Sequence, residues 1–112
     1  MPEPRILSSA VEDISQIADH RLRHVGPNSA EAVTDKLLDT IALLGDAPFL
    51  GPLHHDPVLQ SMGFRKLVCG QYVCVYRIVD DVPTVYRVFH ESQNYPAWLA
   101  KKEARGGRLC AP

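Results

Sequence analysis

No apolar run in the 112-residue sequence approaches the ~18 residues needed to cross a bilayer, so no membrane partner is expected. The start, "MPEPRILSS", lacks the apolar core of a signal peptide, and a cytoplasmic location is expected. Cysteine is scarce: Cys69, Cys74 and Cys110 are odd in number and lack metal-ligand spacing, so they read as packed or free thiols in a reducing compartment. His54-His55-Asp56 sits in a proline-rich stretch without a further ligand pair and reads as loop rather than as a metal site. No metal and no cofactor are expected. There is no internal repeat and no low-complexity tract, and 46% hydrophobic residues against 22% charged is the balance of a folded chain. The length suits one core and not two.

What is present is an uneven distribution of charge. Residues 1–63 hold four Lys/Arg and nine Asp/Glu, whereas residues 64–112 hold eight Lys/Arg and four Asp/Glu. A basic second half says more about partners and encounter than about fold. Its cations Arg65, Lys66, Arg77 and Arg87, together with His90, are threaded through sheet-forming sequence, "FRKLVCGQYVCVYRIVDDVPTVYRVFHE".

The spacing predicts an edge strand in "PRILSSA", then two helices. The first is expected to open on a Ser9/Glu12 capping box and to bury Val11, Ile14, Ile17, Ala18, Leu22 and Val25 before Gly26-Pro27 stops it. Asn28 and Glu31 repeat the capping pattern for the second, whose stripe is Val33, Leu37, Ile41 and Leu44, with Ala30 and Leu38 beside it. So short a join predicts an antiparallel hairpin. Residues 46–63 are expected as a long surface connection, followed by strands over 64–69, 72–79 and 84–90, the first two joined by a tight turn at Gly70-Gln71 and the last two by a slightly longer loop, Asp80-Asp81-Val82-Pro83. The order β-α-α-β-β-β predicts an α+β fold, with a helical hairpin on one face of a mostly antiparallel four-stranded sheet. Residues 1–99 form the domain; a short helical turn starts near Pro96, with Tyr95, Trp98 and Leu99 expected to pack back on the body, and residues 100–112 are expected as a flexible basic tail.

Alternation places Tyr72, Cys74, Tyr76 and Ile78 on one face of the middle strand and Val73, Val75, Arg77 and Val79 on the other. In the last strand it sets Val85, Arg87 and Phe89 opposite Tyr86, Val88 and His90. With no further long helix expected, one sheet face is predicted to stay open, with the cations on it or at its rim. The alternative for Arg65, Arg77 and Arg87 is an internal ion pair with a helix carboxylate such as Asp13 or Asp39.

In this order the segments resemble the RelE/ParE family of toxins from bacterial toxin–antitoxin modules. "AVEDISQIADHRL" resembles the family's first helix, and "LLDTIALLGDAPFLG" the exit from its second. "GFRKLVCGQYVCVYRI" is similar to its Gly-Φ-Arg-x-Leu … Gly-x-Tyr-x-Φ-x-Tyr-Arg hairpin, and "VYRVFHESQNYPAWL" to its last strand, which ends Arg-Val-x-His. The match covers roughly residues 5–99.

The resemblance implies a small toxin neutralised by a cognate antitoxin that lays a helix or strand on the hairpin or the sheet edge. It leaves two targets, because this fold carries different activities. RelE-like members cleave messenger RNA on the ribosome, which needs a proton acceptor, a proton donor and cations at the phosphate. Here that machinery would be Arg65, Arg77 and His90, with Tyr95 as the C-terminal aromatic. The nucleases, however, carry an Arg just after the Gly-x-Tyr of the middle strand, where this chain has Val73. ParE-like members, which poison DNA gyrase, have an aliphatic residue there and fit better, although their usual Arg-Asp after the final His is replaced by Gln93-Asn94. The expectation is thus a ParE-type toxin that breaks no bond itself and contacts its target through Arg65, Lys66, Arg77, Arg87 and His90. The alternatives are the nuclease, or a family member that only binds its antitoxin.

Overall fold

The computed structural model describes residues 3–106. Strand β1 (Arg5–Ile6) leads into helices α1 (Ser8–His24) and α2 (Pro27–Ala42), and a 3-10 turn (Leu43–Gly45) ends the pair. A short helix α3 (Pro57–Ser61) precedes strands β2 (Arg65–Cys69), β3 (Tyr72–Val79) and β4 (Val82–His90), and helix α4 (Pro96–Gly106) closes the described chain. The sheet order is β1-β4-β3-β2, antiparallel except for the short parallel pairing of β1 with β4. The α+β class, the element order and the hairpin agree with the sequence reading.

Neither expected capping box forms, because each helix begins earlier than those boxes require. In α1 the Ser9 hydroxyl lies inside the first turn and donates to the Tyr86 carbonyl at 2.9 Å, tying α1 to β4. In α2 the N-terminus is set by Gly26, at φ 142°, and by Pro27 in the first helical position. The buried row of α1 is Ala10 and Ile14, with Ile17 partly covered. Val11, Leu22 and Val25, expected inside, are 53%, 48% and 68% exposed. Periodicity gave the stripe's spacing, but Ala10, small enough to let α1 sit close to the sheet, sets which row faces in.

The largest departure lies on the second face of the sheet. The hairpin packs Ala10, Ile14, Leu37, Ile41 and Leu44 on one face, against Tyr72, Cys74, Tyr76, Val85 and Val88. The opposite face, expected bare, carries a second core in which Leu59 of α3 and Tyr95, Leu99 and Ala100 by α4 cover Phe64, Val73, Val75, Tyr86 and Phe89. Helix α4 is longer than the expected turn, and Ala100, beyond the expected boundary at residue 99, is 8% exposed. Residues 107–112, including Cys110, lie outside the described residues; Cys69 and Cys74 are buried free thiols.

Residues 46–63 do more than cross the surface. Lys66 N–H donates to the Pro52 carbonyl at 3.0 Å and His54 N–H to the Phe64 carbonyl at 2.9 Å, so this segment pairs with the outer edge of β2 and satisfies it. Gly51 is buried here, and a side chain is excluded because a Cβ would stand 2.6 Å from the Lys66 carbonyl oxygen. The buried Tyr76 hydroxyl accepts from Gly51 N–H at 2.9 Å and donates to the Pro48 carbonyl at 2.8 Å, fixing the segment's start. Its end is fixed by Asp56, whose carboxylate accepts from the N–H groups of Val58 and Leu59, both at 3.0 Å. Asp56→Ala is expected to cost about 1 kcal/mol through loss of this helix cap, measurable by urea unfolding.

Two strand details alter which side chains share a face. Asp80 and Asp81 both take positive φ, 50° and 66°, so β3 and β4 join by a two-residue turn tighter than the loop expected through Pro83. Between the pairs Val75–Arg87 and Tyr76–Val85, β4 carries one extra residue, Tyr86. This bulge resets the alternation. Val85 and Val88 therefore enter the hairpin core together, and Tyr86 and Phe89 enter the other, in place of the expected Val85/Arg87/Phe89 set.

Candidate functional site

The five basic positions expected on an open face or at its rim are separated by the fold. Arg65 pairs with Tyr76 across β2–β3; its guanidinium donates to the Gly51 carbonyl at 2.8 Å and stands 4.8 Å from the Phe49 ring centre. Lys66, next along the strand, donates to His55 Nδ1 at 3.2 Å. Arg77 donates to the Tyr86 hydroxyl and the Met62 carbonyl, both at 3.1 Å, and lies over the rings of Phe64 and Tyr86. These arginines are held by carbonyls and aromatic faces of their own chain, not by Asp39.

Arg87 takes the internal ion pair instead. The bulge sets it at the end of β4 that β1 does not cover, where it donates to Asp13 through Nε at 2.6 Å and through a terminal nitrogen at 2.8 Å. The same carboxylate accepts the Val88 N–H at 3.0 Å, so one aspartate neutralises a cation and closes a strand edge. Its hydrogen bonds to the Asp13 carboxylate raise the Arg87 pKa, and the side chain stays permanently charged. On the other side the guanidinium lies 5.3 Å from the Phe89 ring centre and 4.9 Å from that of Trp98 on α4. His90 is partly exposed; its Nδ1 lies 2.7 Å from the Ser92 hydroxyl and accepts the Ser92 N–H, and its ring meets Tyr72 edge-on. Gln93 caps the same strand end, its side-chain oxygen accepting the His90 N–H at 2.7 Å.

Asp13, Gln16, His20, Tyr72, Arg87 and His90 are among the residues around a groove of about 460 Å³ between α1 and the end of β4. A second cavity, of about 380 Å³, is lined by Arg87, Phe89, Gln93, Asn94, Tyr95 and Trp98. Arg87, Phe89 and Gln93 border both, so a continuous depression runs from α1 across the β4 edge to α4.

The chain is matched over residues 5–95 by the family model for the ParE toxin of type II toxin–antitoxin systems, parDE. It belongs to the ParE toxin family. Among solved structures the toxin resembles a chain of the chromosomal ParDE toxin–antitoxin system from P. aeruginosa. That match has a TM-score of 0.69 at 18% identity, over 80% of this chain and 96% of the other, and it shows a shared fold. No curated protein sequence matches the toxin.

Sequence reasoning missed two features of this ParE toxin. One is Trp98, expected only to pack on the body, which is 47% exposed beside Arg87. The other is His54, read as plain loop. It is fully buried, accepts the Asp56 N–H on Nδ1 at 3.0 Å, and therefore carries its proton on Nε2, which donates to the Tyr95 hydroxyl at 2.7 Å. Tyr95 in turn stacks on Phe89 with ring centres 4.1 Å apart, so this pair bolts the 46–63 segment to the start of α4. Burial pushes the Tyr95 hydroxyl up to about 12, a poor value for the proton donor that a nuclease needs.

Burial, with charge from His55 and Lys66 adding to it, pushes His54 down from 6.5 to about 4. A histidine kept neutral in the fold contributes stability that is complete above its unfolded pKa and is lost as pH falls toward the folded one. Between pH 7 and pH 4.5 the toxin is expected to lose about 2 kcal/mol from this residue. Urea titrations at both pH values, with His54→Gln as the reference lacking this part of the slope, measure it.

Proposed function

We propose that this toxin acts on DNA gyrase by protein–protein contact, without breaking a bond itself, and is held inactive by a cognate antitoxin. The observation that carries the reading is Val73. It stands where RelE-like nucleases resemble one another in placing an arginine, and it is 4% exposed in the core beneath α4. A cation introduced there would enter apolar packing rather than meet a phosphate. The other groups that cleavage would require do not converge either: Arg65 is anchored at Gly51, Arg77 at Met62 and Tyr86, and His90 lies at the far end of the strands beside Tyr72.

The open face first expected to receive the target is filled by α3 and α4, so the contact surface moves to the rim, where Arg87, His90, Gln93 and α4 border the depression. Lys66 and the two other arginines then act mainly in holding the fold. For the antitoxin, the exposed Val11 and Leu22 of α1, Val25 just past its end and Leu38 of α2 leave apolar positions on the hairpin that an amphipathic helix would cover. Purified toxin added to a gyrase supercoiling reaction is expected to inhibit at micromolar concentration, and the purified antitoxin to reverse it. A folded sample that leaves supercoiling unchanged contradicts the proposal.

A further inference from the structure

The single tryptophan of the chain is presented rather than hidden. Trp98 is half exposed on the first turns of α4, while its neighbours Leu99 and Ala100 are buried in the second core. It is also held. The Arg87 guanidinium and the Lys102 ammonium each lie 4.9 Å from its ring centre, the Phe89 ring meets it edge-on at 6.2 Å, and Arg87 is itself clamped by Asp13. An indole fixed in this way has little side-chain freedom left to lose on binding. That condition, with large area and a flanking cation, is what makes a tryptophan an interface anchor.

We infer that Trp98, with Lys102 beside it, is the anchor by which the toxin grips its protein target: the indole enters an apolar pocket and Lys102 meets a carboxylate at that pocket's rim. This rests on the gyrase reading above and deepens it. The occupant is argued from charge. Lys101 and Lys102 are exposed, and among the described residues neither has a carboxylate within ion-pair distance, so both can pair across an interface. Yet Glu12, Asp13 and Glu103 all lie close enough to act on Arg87. Nearby carboxylates offset the cations, and a surface of mixed sign suits a protein partner; a nucleic-acid backbone would gain little from it. The role differs from that of Arg87, whose charge is already spent on Asp13 and which positions the indole.

The test compares wild type, Trp98→Ala, Trp98→Phe and Lys102→Glu in gyrase supercoiling inhibition and in binding to the purified gyrase subunits. Antitoxin binding and thermal unfolding report on the fold. Trp98→Ala is expected to raise the half-inhibitory concentration about 30-fold. Trp98→Phe should fall between it and wild type, and Lys102→Glu should weaken inhibition several-fold; all three should still bind antitoxin. Toxin labelled with 5-fluorotryptophan carries one fluorine reporter, whose resonance should shift and broaden when gyrase is added.

Wild-type inhibition with Trp98→Ala and Lys102→Glu both within twofold overturns this inference and leaves the gyrase reading standing. Wild type without inhibition sinks that reading, and the fluorine resonance then speaks alone: unmoved by gyrase, it sinks the anchor as well. If Trp98→Ala fails to fold, Lys102→Glu decides, unchanged inhibition counting against the anchor and weakened inhibition for it. A fluorine shift produced by single-stranded DNA in the absence of gyrase assigns the surface to nucleic acid and also overturns the inference.

Discussion

Replacing Asp13 by alanine is expected to destabilise the toxin by about 4 kcal/mol. Three donors lose their acceptor together: two nitrogens of Arg87 and the N–H of Val88. The Arg87 side chain is only 19% exposed, so it keeps a charge that water reaches poorly. Removing one partner of such a pair costs far more than the pair is worth, because the remaining charge is stranded. Asp13→Asn should cost about half as much, since its amide oxygen can still accept one of these donors. Arg87→Met should also be milder, since Asp13 retains Val88 N–H and the methionine stem can lie against Phe89 and Trp98. Urea unfolding at pH 7 measures all three. A double variant Asp13→Ala/Arg87→Met no more stable than Asp13→Ala alone would show that the stranded charge is not the cause.

Leu99→Ala is expected to cost about 3 kcal/mol, within the range for emptying a fully buried leucine site. Leu99 has no exposed surface and packs with Val73, Val75, Phe89 and Tyr95. The result bears on function as well as stability, because Leu99 is the side chain by which α4 seals the second sheet face. A loss below about 0.5 kcal/mol, the scale of an ordinary surface change, would mean that α4 is not seated and that the face is open after all.

The parts of this molecule governed by local pattern were legible in its sequence. The strand limits of β2 and β3, the hairpin of α1 and α2, and the buried Leu37, Ile41 and Leu44 follow from alternation, helical spacing and the Gly-Pro break. The Arg-Val-x-His ending and the aliphatic Val73 also pointed to the ParE family that the family model matches. Features requiring distant residues were not legible. The bulge at Tyr86 leaves no local signature, yet it shifts Arg87 from a face to an edge and within reach of Asp13, 74 residues earlier. "NYPAWLAKK" looks too short for a helix that could roof a sheet, because its partner surface, Val73 and Val75, is visible only once the strands are paired.

The cations show the same division. Their presence in strands suggested an open basic face, since one wet side is common in antiparallel sheets. Arg65 and Arg77 instead donate to backbone carbonyls of the 46–63 segment, and that segment lies there because His54, read as loop, is bolted to Tyr95. A histidine amid prolines gives no sign that it will be buried. Trp98 was equally ambiguous, since a lone tryptophan near a chain's end packs inward far more readily than it is presented.

The claim at the centre of this account is that a roofed sheet, with Val73 sealed beneath α4, has no place to cut RNA. Purified toxin in a cell-free translation extract, with messages mapped by primer extension, tests it most directly. Full-length messages at toxin concentrations that stop gyrase are the predicted result. New cleavage ends on ribosome-bound messages, lost with Arg65→Ala, would contradict it.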